Sequence, residues 1–215
     1  MRKKVSNNVI RRLPRYIRLL DEMDQEGLMR VSSSELGERL GFTASQVRQD
    51  FSNFGEFGQQ GYGYNIKALR DQIAEVLGVN QGFTAILVGV GHIGRSLISN
   101  FCFSDWGFKL VGAFDTSENM IGKEVNGITV SSIDEIEKFI SSHKVDAAVL
   151  TVPKEAAVKV AKRLTDCGIN AIWNFTNVEI VEPDSSVLVE NLHFSDSLLA
   201  LSYYISEQKD SKSGK

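Results

Sequence analysis

The sequence predicts an α/β chain in two parts: a winged helix-turn-helix unit, then a Rossmann-type doubly wound parallel sheet. Three observations predict it. The apolar run Ala85-Ile86-Leu87-Val88 leads directly into Gly89-Val90-Gly91-His92-Ile93-Gly94, the glycine turn that joins a strand to a helix around a pyrophosphate. Asp115 closes the next apolar run, 21 residues past Gly94, where a carboxylate would meet an adenosine ribose. Ahead of both, two short capped helices separated by Gly41-Phe42-Thr43 have the layout of a helix-turn-helix.

The chain has 215 residues, 42% hydrophobic and 24% charged, which suits one or two globular domains. No apolar run approaches the roughly 20 residues that cross a bilayer, so no membrane partner is expected. The basic start, Met1-Arg2-Lys3-Lys4, has no apolar segment behind it and does not read as a secretory signal. Cys102 and Cys167 have neither metal nor disulfide spacing. They read as apolar fillers in a reducing cytoplasm, with no metal site. The net charge of −3 is unevenly spread: residues 1–18 carry seven basic side chains and no acid. That clustering suggests contact with phosphates.

In order along the chain, Ile10, Leu13, Ile17 and Leu20 share one helix face, which predicts a first helix over 9–23. Pro14 lies inside that span and predicts a start or a kink near Leu13. Ser32 to Glu35 is a capping box for a helix ending at Gly41, and Thr43 to Gln46 is another, opening a helix through Asn53. Between Phe54 and Tyr64, Gly55, Gly58, Gly61 and Gly63 alternate with Phe57 and Tyr62. A helix cannot hold such spacing, and an aromatic wing can. Ile66, Leu69, Ile73 and Val76 predict a fourth helix, and 78–82 a linker.

Strands are then expected over 84–88, 108–114, 147–152 and 171–174, with helices over 92–101, 133–143 and 154–167. This alternation implies a parallel sheet covered on both faces. A strand over 187–189 and a helix over 195–205 follow. The expected domains are 1–80, DNA-binding; 81–192, nucleotide-binding; 193–206, a C-terminal helix; and 207–215, a disordered tail.

The chemistry follows from residue types. Gly89 permits the turn, Gly91 lets backbone approach a pyrophosphate, and Gly94 lets the helix pack on the strand. Val90, His92 and Ile93 complete this loop. His92 faces phosphate or solvent and is not expected to be catalytic. A 2′-phosphate would meet the unpaired Asp115 carboxylate, since Thr116-Ser117 follow it, so NADH and NAD+ are favoured over their phosphorylated forms. Thr151-Val152-Pro153 and Asn174-Phe175-Thr176 end later strands and are expected to wall the crevice. On the third helix, Ser45, Gln46, Arg48 and Gln49 are candidate DNA readers, since Arg and Gln recognise guanine and adenine edges.

These runs resemble the Rex family of bacterial redox-sensing repressors. The resemblance rests on Arg12-Leu13-Pro14, Ser32-Ser33-Ser34-Glu35-Leu36, Gln46-Val47-Arg48-Gln49-Asp50-Phe51-Ser52, the wing from Phe54 to Tyr64, the glycine loop, Thr151-Val152-Pro153, Asn174-Phe175 and Val189-Glu190-Asn191. It implies a homodimer on a palindromic operator, released by NADH, with the last helix swapped between subunits. It places Arg11, Arg12, Gln60, Gly61 and Tyr62 beside the recognition helix on DNA, and Phe194 of the partner subunit near the nicotinamide. The chain departs from the family pattern at Gln49, where many members have lysine, and at Gln59-Gln60, in place of a basic pair. It departs again at Asn100, in place of tyrosine, and at His193, in place of aspartate. A third reading is a Rossmann unit that binds another nucleotide such as coenzyme A or only dimerises, and the main rival is an NAD-dependent oxidoreductase. That class needs a substrate domain and a proton donor beside the nicotinamide. No stretch of the chain has the size of a substrate domain, and no His, Lys or Tyr falls on the crevice runs.

Overall fold

The structure, a computed structural model, describes residues 5–54, 62–181 and 186–213. It divides into two compact units, 1–81 and 82–215.

In the first unit α1 spans Asn7–Gln25, β1 Arg30–Val31, α2 Ser33–Leu40, α3 Ala44–Ser52, β2 Tyr64–Asn65 and α4 Ile66–Leu77. Both expected caps are present. Ser32 Oγ accepts from Glu35 N–H and Thr43 Oγ1 from Gln46 N–H, each at 3.1 Å; such caps contribute about 1 kcal/mol apiece. Gly41 ends α2 in the left-handed region at φ 73°. α1 corrects the expectation at Pro14: the helix runs through it. Leu13, Tyr16, Ile17 and Leu20 are buried on either side of the proline, and their packing outweighs the lost backbone hydrogen bond. Leu36, Val47, Phe51, Ile66 and Ile73 complete this core. β1 and β2 pair antiparallel, Val31 opposite Tyr64. Most of the expected wing, residues 55–61 with Gln60 and Gly61, lies outside the described residues.

In the second unit the strands are β3 (Phe83–Val88), β4 (Phe108–Asp115), β5 (Glu124–Val125), β6 (Ile128–Ser132), β7 (Ala147–Leu150), β8 (Ala171–Asn174) and β9 (Leu188–Asn191). The helices are α5 (His92–Asn100), α6 (Ile136–Ser142), α7 (Lys154–Asp166) and α8 (Phe194–Ser213). The sheet order is β5-β6-β4-β3-β7-β8-β9. All pairings are parallel except β5 with β6. Strand order reverses at β3, the doubly wound arrangement whose switch point opens a crevice at the carboxyl ends of β3 and β7. Successive residues of β3 point to opposite faces. Ile86 and Val88 pack under α6 and α7, while Leu87 packs with Ile98 of α5 and Phe103.

Two elements differ from expectation. The β5–β6 hairpin turns on Asn126-Gly127, both at positive φ (47° and 79°). That is the backbone an Asn-Gly hairpin turn demands. The last helix does not stop at Ile205 and leave a disordered tail. It runs to Ser213, helped by i,i+4 bonds from Tyr203 Oη to Glu207 and from Ser211 Oγ to the Glu207 carbonyl.

Candidate functional site

The glycine loop joins β3 to α5 against the end of β7. A Cβ on Gly89, whose φ is 98°, would lie 2.8 Å from the Thr151 backbone. A Cβ on Gly94 would lie 2.1 Å from the Gly89 carbonyl oxygen, so α5 can approach β3 this closely only with glycine there. Gly91 differs: among the described residues nothing beyond its chain neighbours lies within 4 Å of where its Cβ would be. The open space lies at the start of α5, where backbone N–H groups and the helix dipole favour a phosphate. The loop residues thus form a cradle that fits a pyrophosphate. His92 and Ile93 are exposed beside it, whereas the Val90 side chain is buried in the core.

Asp115 ends β4 across from the loop. Its Oδ2 accepts from Val90 N–H at 2.5 Å and its Oδ1 from Ser117 N–H at 2.8 Å. Each oxygen holds one backbone donor and keeps a lone pair for a ribose hydroxyl. Thr151 is spent on the loop: its hydroxyl donates to the Gly89 carbonyl at 2.6 Å. Pro153 caps α7 and is exposed, and Val152 packs against the α6–α7 core.

Asn174 corrects the expected crevice wall. Its side chain is fully buried and points inward, because β9 lies alongside and Asn191 meets it. Asn174 Nδ2 donates to Val178 O and to Asn191 Oδ1, and its Oδ1 accepts from the Thr176 N–H and hydroxyl. All four hydrogen-bonding positions of the amide are thereby used, leaving none for a nicotinamide. Phe175 is buried against Trp173, and its ring lies 6.4 Å from that of Phe194, which is 56% exposed at the start of α8.

The first unit presents α3. Ser45, Arg48 and Gln49 are exposed on it, as is Arg11 on α1. Arg48 Nη1 donates to Ser33 Oγ at 3.0 Å, which ties α3 to the start of α2. Tyr62 stands 69% exposed at the base of the wing, with the Arg30 guanidinium 6.0 Å from its ring centre. Arg12 and Gln46, both partly exposed, are held on Asp50 in this structure. Arg12 donates from Nε and Nη2 to Asp50, both at 2.7 Å, and Gln46 Nε2 donates to the same carboxylate at 2.9 Å. Tyr16 Oη adds a bond at 2.9 Å. Burial alone would raise the Asp50 carboxyl, but the bonds from Arg12, Gln46 and Tyr16 outweigh it and hold the group below the ordinary carboxylate range. The same burial and bonding push the Tyr16 phenol up, and the bond to Asp50 raises Arg12.

Asp50, fully buried on α3, is the residue holding this cluster together that sequence reasoning missed. Its spacing of four from Gln46 on the inner side of α3, facing a basic α1, was the available signal.

The chain matches two family models: "CoA binding domain" over residues 80–178 and "Putative DNA-binding protein N-terminus" over residues 4–52. It is 48% identical over 207 residues to the redox-sensing transcriptional repressor Rex of Caldicellulosiruptor saccharolyticus, covering 96% of this chain and 94% of that one. It is 46% identical to the protein of the same name from Clostridium beijerinckii, covering 96% and 98%. Among solved structures it resembles the repressor RSP in complex with β-NAD+ and operator DNA, at 42% identity and a TM-score of 0.89, covering 98% and 97% of the two chains. It also resembles RSP in complex with β-NADH, at 39% identity and a TM-score of 0.91, covering 99% and 100%.

Proposed function

Because the chain belongs to the Rex family of redox-sensing transcriptional repressors, we propose that it binds operator DNA through its first unit and NADH or NAD+ through its second, and that NADH releases the DNA. The protein is a regulator and not an enzyme. The observation that carries the reading is the crevice itself, with open space at Gly91 and Asp115 facing it.

In this reading the backbone of residues 89–94 holds the pyrophosphate, Asp115 takes the ribose hydroxyls, and Thr151 keeps the loop in shape. Val152, Pro153 and Phe175 bound the nicotinamide side, with Asn174 holding the end of β8 from within. Arg48, Gln49 and Ser45 read DNA, with Arg11 and Tyr62 flanking them. Arg12 and Gln46 act through Asp50, which sets the pitch of α3. The description "CoA binding domain" favours a second nucleotide, coenzyme A. Its ribose carries a phosphate that would sit against the Asp115 carboxylate, so NADH is preferred.

The chain works as a homodimer in the cytoplasm. α8 carries large exposed side chains on several sides, among them Leu198, Leu199, Leu201, Tyr203 and Ile205, as suits a helix that a second copy covers. A cavity of about 550 Å³ on the sheet, walled by Phe101, Phe103, Trp106 and Trp173, offers more uncovered apolar surface. A dimer also matches two half-sites of a palindromic operator. The test is a gel shift using the duplex that the protein enriches from a random library, alone and with NADH, NAD+ or coenzyme A. Release by NADH alone supports the reading; release only by coenzyme A overturns it. Truncation before Phe194 should abolish the dimer seen by light scattering.

A further inference from the structure

A hydrogen-bond chain runs from the end of β8 to the foot of α8. Thr176 Oγ1 donates to Asn174 Oδ1 at 2.7 Å, and Asn174 Nδ2 donates to Asn191 Oδ1 at 2.7 Å. Asn191 Nδ2 donates to Glu179 Oε1 at 3.1 Å. The other oxygen of Glu179 meets His193 Nε2 at 2.8 Å, one residue before α8 begins.

The orientation of every link is forced. Asn174 Nδ2 must face the Val178 carbonyl, and Asn191 Nδ2 the Ile180 carbonyl, because a carbonyl can only accept. Asn191 Oδ1 accepts the Ile180 N–H as well, so that amide has no spare position. A carboxylate also only accepts, so His193 must donate from Nε2. Two sequences of donors, one from the crevice side and one from α8, therefore end on the two oxygens of Glu179. None of the amides can turn over without leaving buried polar groups unpaired.

The two ends of this chain are the parts of the unit that matter to regulation. Thr176 and Phe175 adjoin the crevice. α8 leaves Leu198, Leu199, Leu201, Tyr203 and Ile205 exposed in this chain. We infer that Glu179 is the positioning residue that ties the foot of α8 to the end of β8, and that this tie carries the effect of a nucleotide in the crevice to the DNA-binding state. The inference rests on the NADH reading of the crevice. Glu179 touches neither DNA nor nucleotide in that reading, and its side chain is 63% exposed, so its loss leaves the two cores intact. Without it the angle of α8 follows the state of the crevice less closely. Both ligands then still bind, but each affects the other less.

The test compares the factor by which saturating NADH weakens binding of the enriched duplex, measured by fluorescence anisotropy, across wild type, Glu179→Gln, Glu179→Ala, His193→Ala and the Glu179→Ala/His193→Ala double variant. Glu179→Ala and His193→Ala should each shrink the factor by about fivefold or more, and the double variant should lose no more than either, since the two share one link. Duplex affinity without nucleotide, and NADH affinity by calorimetry, should stay within about twofold of wild type. Glu179→Gln, which keeps the volume and one acceptor, should lose less, and it decides the question if Glu179→Ala fails to fold. A wild-type factor in both Glu179 variants overturns the inference, even if they melt lower. A factor of one in the wild-type protein overturns the NADH reading and this inference with it.

Discussion

Arg12 on α1 and Asp50 on α3 are joined by two parallel hydrogen bonds of 2.7 Å, with the carboxylate at zero exposure and the guanidinium at 23%. This pair ties α3 to α1, and Gln46 and Tyr16 donate to the same carboxylate.

Replacing Asp50 by Ala leaves Arg12, Tyr16 and Gln46 without their shared acceptor. Removing one partner of a buried ion pair costs about 3 kcal/mol, at the low end here because Arg12 retains some solvent. Hydrogen exchange at α1 and α3 should show a loss of that size, with NADH affinity unchanged. Protection lowered by less than about 0.5 kcal/mol would mean that the pair is incidental.

The same pair sets an acid limit. Asp50 titrates lower in the folded state than in the unfolded chain. Its contribution is therefore complete above about pH 4, the ordinary carboxylate range, and is lost as pH falls through the lower folded value. The stability of α1 and α3 should decline on acidification below that range. Asp50→Asn should remove that part of the slope. Identical acid profiles for the two proteins would contradict the sign.

Gly91 and Gly94 should separate binding from folding. Gly91→Ala meets nothing inside the protein, so its melting temperature should stay within about 2 °C of wild type while NADH affinity drops by about tenfold or more. Gly94→Ala forces a Cβ against the Gly89 carbonyl and should impair both. Normal NADH binding by Gly91→Ala, measured by calorimetry, would move the pyrophosphate elsewhere.

Asp115→Asn keeps an acceptor for the Val90 N–H but removes the charge. NADH affinity should fall by about fivefold, a bond's worth, and the preference over NADPH should narrow as the repulsion of a 2′-phosphate disappears. If wild type binds NADPH as tightly as NADH, the role given to Asp115 is wrong.

Much of this was legible in the sequence because it is local. The caps at Ser32 and Thr43, the glycine turn and the strand–helix alternation each depend on neighbours within a few positions, and they stand where periodicity and capping rules put them. The Asn126-Gly127 hairpin was equally local and readable from its turn dipeptide. The bonding of Asn174 and Arg12 was not legible for a different reason. Each is defined by a partner 17 or 38 positions away, Asn191 or Asp50, and residue type does not reveal which way a polar side chain turns. Pro14 was misjudged because long-range burial of its helix face outweighs a local rule.

In the proposed function NADH and DNA bind opposing states of one protein. The direct measurement is a pair of titrations: affinity for the enriched duplex with and without saturating NADH, and affinity for NADH with and without saturating duplex. Linkage requires the two factors to be equal, and a coupling of the usual size makes each about 5–150-fold, with each ligand weakening the other. Factors of one in both titrations, with both ligands bound, would show two independent sites and contradict the account.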